Sequence, residues 1–166
     1  MYYFAYGSNM SQRRLQQRLS GSTSLGYARL PGYEVVFHKR GSRDSSGKCG
    51  LVAAPGDTWA HGVVFTINDH HKPLLDDIEG VGDGYACHDV TVHHEQLGLL
   101  PCLTYLAEEL DESLRLYPWY LEHVLVGARE HDLPADYIQH LQTLPTIDDP
   151  DSARHDRELA IYSAGD

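Results

Sequence analysis

The 166-residue chain sets 24 acidic side chains against 13 basic ones, a formal net charge of −11. That balance argues against nucleic acid or an anionic membrane as the main partner, and a small anionic ligand would need a local positive site. A domain of this length, 42% hydrophobic and 22% charged, buries roughly 68–70% of its unfolded surface and requires no metal or disulfide staple.

In chain order, Tyr2 to Tyr6 read as a buried, aromatic-rich strand. Gly7-Ser8-Asn9 is a turn signal, and "SQRRLQQRL" has helical spacing with Ser11 as N-cap. A strand, tight turn and helix in that order can aim backbone N–H groups at an anion. "YARLPGYEVVFHKR" predicts extended chain and "GSRDSSG" (41–47) a loop. "CGLVAAPGDTWAHGVVFTI" predicts a hairpin turning at Pro55-Gly56-Asp57, with Trp59, His61, Val63, Phe65 and Ile67 alternating onto one face.

Asn68 and Asp69 can start a short helix with Leu74, Leu75 and Ile78 as its stripe, Pro73 in its first turn and Gly80 as its stop. Two strands follow, in "GYACHDVTVHH" and "LLPCLTYLAEE". Pro118 opens the longest helix, to about His131, in which Gly127 predicts close packing against another element. Pro134 opens a further helix, closed by Pro145. The expected division is a domain over 1–145 and an acidic, at best partly ordered tail over 146–166. Strands grouped in hairpins favour α+β with a mostly antiparallel sheet, closing as a small barrel in one arrangement. There is no GxGxxG and no GxxxxGK[ST].

Asp76, Asp77 and Glu79 fall in the last turn of the short helix, where the dipole disfavours carboxylates. Two readings are open. The acids form a solvated surface turn, or the dipole, neighbouring charges and burial raise a carboxyl pKa and make a proton shuttle. Glu79 is the best candidate for the second, because glycines and Tyr85 follow it. The eleven histidines show no HExxH and no helical i, i+4 pair, which disfavours a metal site. Ser8 lacks a GxSxG context and reads as a turn residue. Arg13, Arg14 and Arg18 read as the solvated face of the first helix, with Arg13 or Arg14 as the ones able to help an anion site. Cys49, Cys87 and Cys102, an odd set without CxxC, read as reduced thiols and small core residues. With no signal-peptide pattern and no run near the ~18 apolar residues of a membrane span, the expected location is cytoplasmic.

"YFAYGSNM" at 3–10 and "IEGVGDGY" at 78–85, with "CLTYLAEE" at 102–109 and "YPWYLEHVLVGAREHDLP" at 117–134, together resemble the γ-glutamylcyclotransferase family. The resemblance spans roughly residues 2 to 144. It implies a small β-barrel flanked by helices. It also implies a cofactor-free and metal-free reaction, in which the α-amine of a small γ-glutamyl compound attacks its own γ-amide carbonyl. 5-Oxoproline closes and an amino acid or amine departs. By this resemblance Glu79 is the general acid/base, Tyr6, Gly7, Ser8 and Asn9 form the anion-binding turn, and Tyr85, Tyr105 and Tyr120 bind substrate. "GSRDSSG" and "EELDESLRLY" are the expected sources of the leaving-group pocket. A binding module without turnover and a histidine-based metallohydrolase are the rivals. An acid at Glu79 speaks against the first, and activity surviving excess chelator would remove the second.

Overall fold

A computed structural model describes residues 1–163. Its strands are β1 (Tyr2–Ala5), β2 (Thr23–Pro31), β3 (Tyr33–Arg40), β4 (Gly47–Ala53), β5 (Trp59–Thr66), β6 (Tyr85–His94) and β7 (Gly98–Ala107). Its α-helices are α1 (Gln12–Arg18), α2 (Lys72–Glu79), α3 (Pro118–Glu130), α4 (Ala135–Gln142) and α5 (Ser152–Ser163). Five strands close a barrel in the order β1-β5-β2-β6-β7, and β3-β4 form a separate two-stranded sheet. All barrel pairings are antiparallel except the seam, where β1 meets β7 in parallel at Tyr3 and Leu103. The α+β class and the closed barrel agree with the sequence reading.

The expected hairpin over 49–67 does not form. β4 pairs with β3, whereas β5 lies between β1 and β2 in the barrel. Two local signals misled here. Gly56 and Asp57 do lie in a local turn, but that turn sits opposite Gly32 between the β3–β4 and β2–β5 registers. Both edges of β5 are taken, by a four-residue register with β1 and a long one with β2. Nor does β5 bury one face only. Gly62, Val63, Val64 and Phe65 are all buried, because one face fills the barrel and the other is covered.

The core joins barrel and helices. Phe4, Val63, Val64 and Phe65 pack with Met10 and Leu15 of the turn and α1, and with Val124 and Ala128 of α3. Burial of such side chains contributes about 1.5–3 kcal/mol each. Ser11 caps α1 by accepting from the Arg14 N–H at 3.4 Å. A β-carbon on Gly127 would stand 2.4 Å from the Met10 carbonyl carbon and the Ser11 nitrogen. This glycine therefore brings the α3 backbone directly against the turn that follows β1.

The acidic segment beyond 146 carries α5, whose Glu158 and Tyr162 reach α1 and α3. No helix of the described residues is long and apolar enough to cross a membrane.

Candidate active site

β1 runs out of the barrel into a single 3-10 turn, Ser8–Met10, which bonds the Met10 N–H to the Gly7 carbonyl at 2.9 Å. The first N–H groups of such a turn have no acceptor within it and are open to a ligand. α2 ends facing this turn. Its cap, Gly80, is left-handed (φ 75°) and returns its N–H to Asp76 and Asp77, so Glu79 is the last helical residue.

A chamber lies between them. Tyr6, Gly7, Ser8 and Asn9 form one wall, and Glu79, Tyr85, Tyr105 and Tyr120 complete it. All eight residues singled out in the sequence are thus brought together. Three others line the same chamber without having been assigned to it: Tyr3, Arg18 and Cys49.

Glu79 is held through one oxygen. Tyr3 Oη donates to Oε1 at 2.7 Å and Asn9 Nδ2 donates to the same atom at 2.6 Å. Oε2 receives no hydrogen bond from the described residues. Burial pushes the Glu79 carboxyl above its ordinary value, while the two donors and the charges of Arg18 and Arg14 hold it down. The direction agrees with the sequence argument, but the cause differs. Burial dominates, and the neighbouring acids are occupied or turned outward. Asp76 is bound by Lys72 and by Tyr105 Oη, the latter at 2.8 Å, and Asp77 is exposed.

The tyrosines form a braced wall. Tyr6 Oη donates to the Tyr105 carbonyl at 2.5 Å, and Tyr85 Oη donates to the Cys49 carbonyl at 2.5 Å. The Cys49 N–H donates to Tyr120 Oη at 3.0 Å. Burial raises all four phenols, so they stay protonated at neutral pH. Cys49 is buried as expected, but it lies in the chamber wall rather than only in the core. Burial pushes its thiol up to about 12, which leaves it a poor nucleophile.

The arginine reading needs correction. Arg13 is exposed and bonds the Ile161 carbonyl at 3.0 Å, away from the chamber. Arg14 is buried and paired with Glu158 at 2.7 Å. Arg18 is the one that enters the chamber, donating to Asn9 Oδ1 at 3.3 Å. Its position one turn beyond Arg14 on the same helix face was the available signal. Tyr3 had only its strand alternation, and Cys49 had none.

None of the described hydrogen bonds joins Ser8 to a histidine. Among the described residues no group of three or more His, Cys, Asp or Glu side chains gathers as a metal site.

Residues 60–141 match the model of the AIG2-like family. The chain is 32% identical over 152 residues to gamma-glutamylcyclotransferase of Homo sapiens, covering 88% of this chain and 79% of the relative. It is 31% identical over 148 residues to the Mus musculus protein of the same name, covering 86% and 77%. A solved structure described as a gamma-glutamyl cyclotransferase superposes with a TM-score of 0.87 at 27% identity, over 99% of both chains. A structure of an uncharacterized Homo sapiens protein superposes at 0.81 with 30% identity, over 89% of both. With a similarity of this extent and a shared barrel, the chain belongs to the γ-glutamylcyclotransferase family.

Proposed function

We propose that the chain is a cofactor-independent γ-glutamylcyclotransferase, converting a γ-glutamyl compound into 5-oxoproline and a free amino acid or amine. The observation that carries this reading is the buried Glu79 carboxyl, held by Tyr3 and Asn9 in a chamber with the open N–H groups of the turn opposite.

The reaction asks for protons to move from the attacking nitrogen to the leaving one, and for a curled substrate. The α-ammonium gives a proton to Glu79 at Oε2, the oxygen left free. The amine attacks the γ-carbonyl, and Glu79 returns that proton to the departing nitrogen as the C–N bond breaks. The second proton of the attacking nitrogen then passes to the same carboxylate and on to the released amine, leaving a lactam N–H and an ammonium. A carboxyl raised toward neutrality suits both directions of transfer. The open N–H groups of the Gly7–Asn9 turn, supported by Arg18, receive the glutamyl carboxylate, so an acidic protein can hold an anionic substrate. Tyr85, Tyr105 and Tyr120 supply fixed neutral hydroxyls and ring faces that keep the substrate curled. Three free cysteines suit a reducing compartment, and the cytoplasm is the proposed location.

The test is direct. The protein is incubated with γ-glutamyl amino acids and γ-glutamylamines, and 5-oxoproline is measured by mass spectrometry beside a Glu79→Gln control. The wild type is expected to form product. Glu79→Gln should lose about 10²–10⁴-fold in kcat, the range for a general acid/base, while binding a product analogue within a few-fold. Its amide oxygen can still accept from Tyr3 and Asn9, so the fold should persist. Retained turnover in the variant would refute the role of Glu79.

A further inference from the structure

The chamber opens into a larger vestibule, with which it shares Ser8, Arg18, Glu79, Tyr85 and Tyr120. A leaving group attached to a γ-carbonyl in the chamber must pass into this space. Several cations line it, and most are already engaged. Lys48 is paired with Asp44 at 2.8 Å, Arg14 with Glu158 at 2.7 Å, and Arg154 with Asp149. Arg18 donates to Asn9 and sits on the glutamyl side. Arg43 is exposed, where water screens its charge.

Lys39 is different. Its residue is 7% exposed, yet among the described residues no ion pair includes it. Its only hydrogen bond there is from Nζ to the Asp83 carbonyl oxygen, at 3.3 Å. An ammonium has three donors, so most of its capacity is unspent, and burying a cation without a paired anion is costly. The backbone is built to hold it there. Between Val36 and Lys39 the β3–β4 register shifts, with one more residue on β3 than on β4, and such a bulge re-aims a side chain. The far side of the site makes room. A β-carbon on Gly84 would stand 3.0 Å from Lys39 Cε and 3.2 Å from Nζ. Nζ lies 4.8 Å from the centre of the Tyr85 ring, and Tyr85 belongs to both chamber and vestibule. The cation therefore waits on the outer side of the tyrosine that the leaving group must pass. The Asp83 side chain is exposed and its charge acts on the ammonium, but the two form no ion pair among the described residues.

We propose that Lys39 is a specificity-determining residue whose ammonium receives a carboxylate of the leaving group, so that the chain prefers γ-glutamyl amino acids to γ-glutamylamines of the same shape. This rests on the cyclotransferase reading above. Arg18 and the turn take one carboxylate of the substrate, and Lys39 takes the other.

The experiment compares γ-glutamylalanine with γ-glutamylethylamine, which differ only by the alanine carboxylate. The wild type should favour the first in kcat/KM by about tenfold or more, as a charge-assisted hydrogen bond allows. Lys39→Met should bring the ratio toward one, chiefly by raising KM for γ-glutamylalanine, because this contact lies away from the reacting atoms. Lys39→Arg should keep the preference. A purely structural role over the Tyr85 ring would lower turnover of both substrates together and leave the ratio intact, which would overturn the proposal. A wild type that does not favour γ-glutamylalanine would also overturn it. If Lys39→Met does not fold, Lys39→Gln is read in the same way. Absence of 5-oxoproline from both substrates would overturn the cyclotransferase reading itself. Turnover with an unchanged ratio would overturn the assignment of Lys39 alone.

Discussion

Glu79 is pulled in two directions, and the balance sets its usefulness. Burial favours the neutral acid, while Tyr3, Asn9, Arg18 and Arg14 favour the carboxylate. A native carboxyl above its unfolded value binds protons more readily than the unfolded chain does. Its ionised form therefore subtracts stability once pH rises through the native value, a cost of the kind found at working sites. The proposed catalysis has the opposite need, since the free enzyme would hold the carboxylate to accept the first proton. Activity should accordingly fall on acidification, with kcat/KM titrating above the ordinary glutamate value of about 4.3. Tyr3→Phe removes one donor to Oε1 and should move that acidic limb to higher pH. Stability should fall only by the ~1 kcal/mol typical of a hydrogen bond. A pH–rate profile of the variant checks this, and an unmoved limb would sink the assignment of Tyr3. Glu79, which lines the chamber, stood out as a candidate because three acids at a helix C-terminus break a local rule. Tyr3 did not, since its partner lies 76 residues away and strand alternation does not say what a side chain will meet.

Among the elements, the turn after β1 is placed less by its own residues than by α3. Local chemistry makes the turn and caps α1, and this much could be read from Gly7, Ser8, Asn9 and Ser11. Where the turn sits depends on Gly127, whose missing side chain lets two backbones touch. Gly127→Ala would force a methyl to within 2.4 Å of backbone atoms on both sides of the Met10–Ser11 bond, and backbone cannot swing aside as a side chain tip can. Overpacking of this type costs about 1–3 kcal/mol. Thermal unfolding should show that loss. KM should rise as well, because the displaced segment carries Asn9 and the turn proposed to hold the substrate carboxylate. A variant as stable and as active as wild type would mean that α3 does not position the turn. The sequence pointed to close packing at Gly127 without naming the partner. The β4–β5 hairpin failed for a related reason. A turn signal at Pro55-Gly56-Asp57 reports local reversal, whereas strand pairing is decided by distant chain, here β1 and β2 on either edge of β5.

Across the whole molecule, the C-terminal helix ties the site together from behind. Arg14 of α1 donates to His123 Nε2 of α3 at 2.8 Å and to Glu158 of α5 at 2.7 Å. With its ring neutral, His123 donates from Nδ1 to Tyr162 Oη at 2.7 Å, and Tyr162 reaches the Ser11 cap at 3.0 Å. Three helices thus share one polar network, and Arg18 stands one turn further along α1. Burial pushes His123 down to about 4, and contact with His123 and the Arg14 guanidinium holds Glu158 at about 2. The signs agree. Between about pH 6.5 and 4 the unfolded chain binds the histidine proton and the native chain does not. Between about 4.5 and 2 the same holds for the Glu158 proton. Stability should therefore fall on acidification in two overlapping windows, the first belonging to His123 and the second to Glu158. Glu158→Gln leaves Arg14 buried without its anion and should cost about 1–3 kcal/mol at neutral pH. That deficit should persist to pH 5 and shrink only below about 4.5, where the unfolded wild type takes up the Glu158 proton that the native chain still excludes. KM should rise a few-fold as α1 loosens behind Arg18. Chemical denaturation at several pH values, read beside the kinetics, separates these effects. Equal stability of variant and wild type at pH 7 would show that α5 rests on the domain without bracing it.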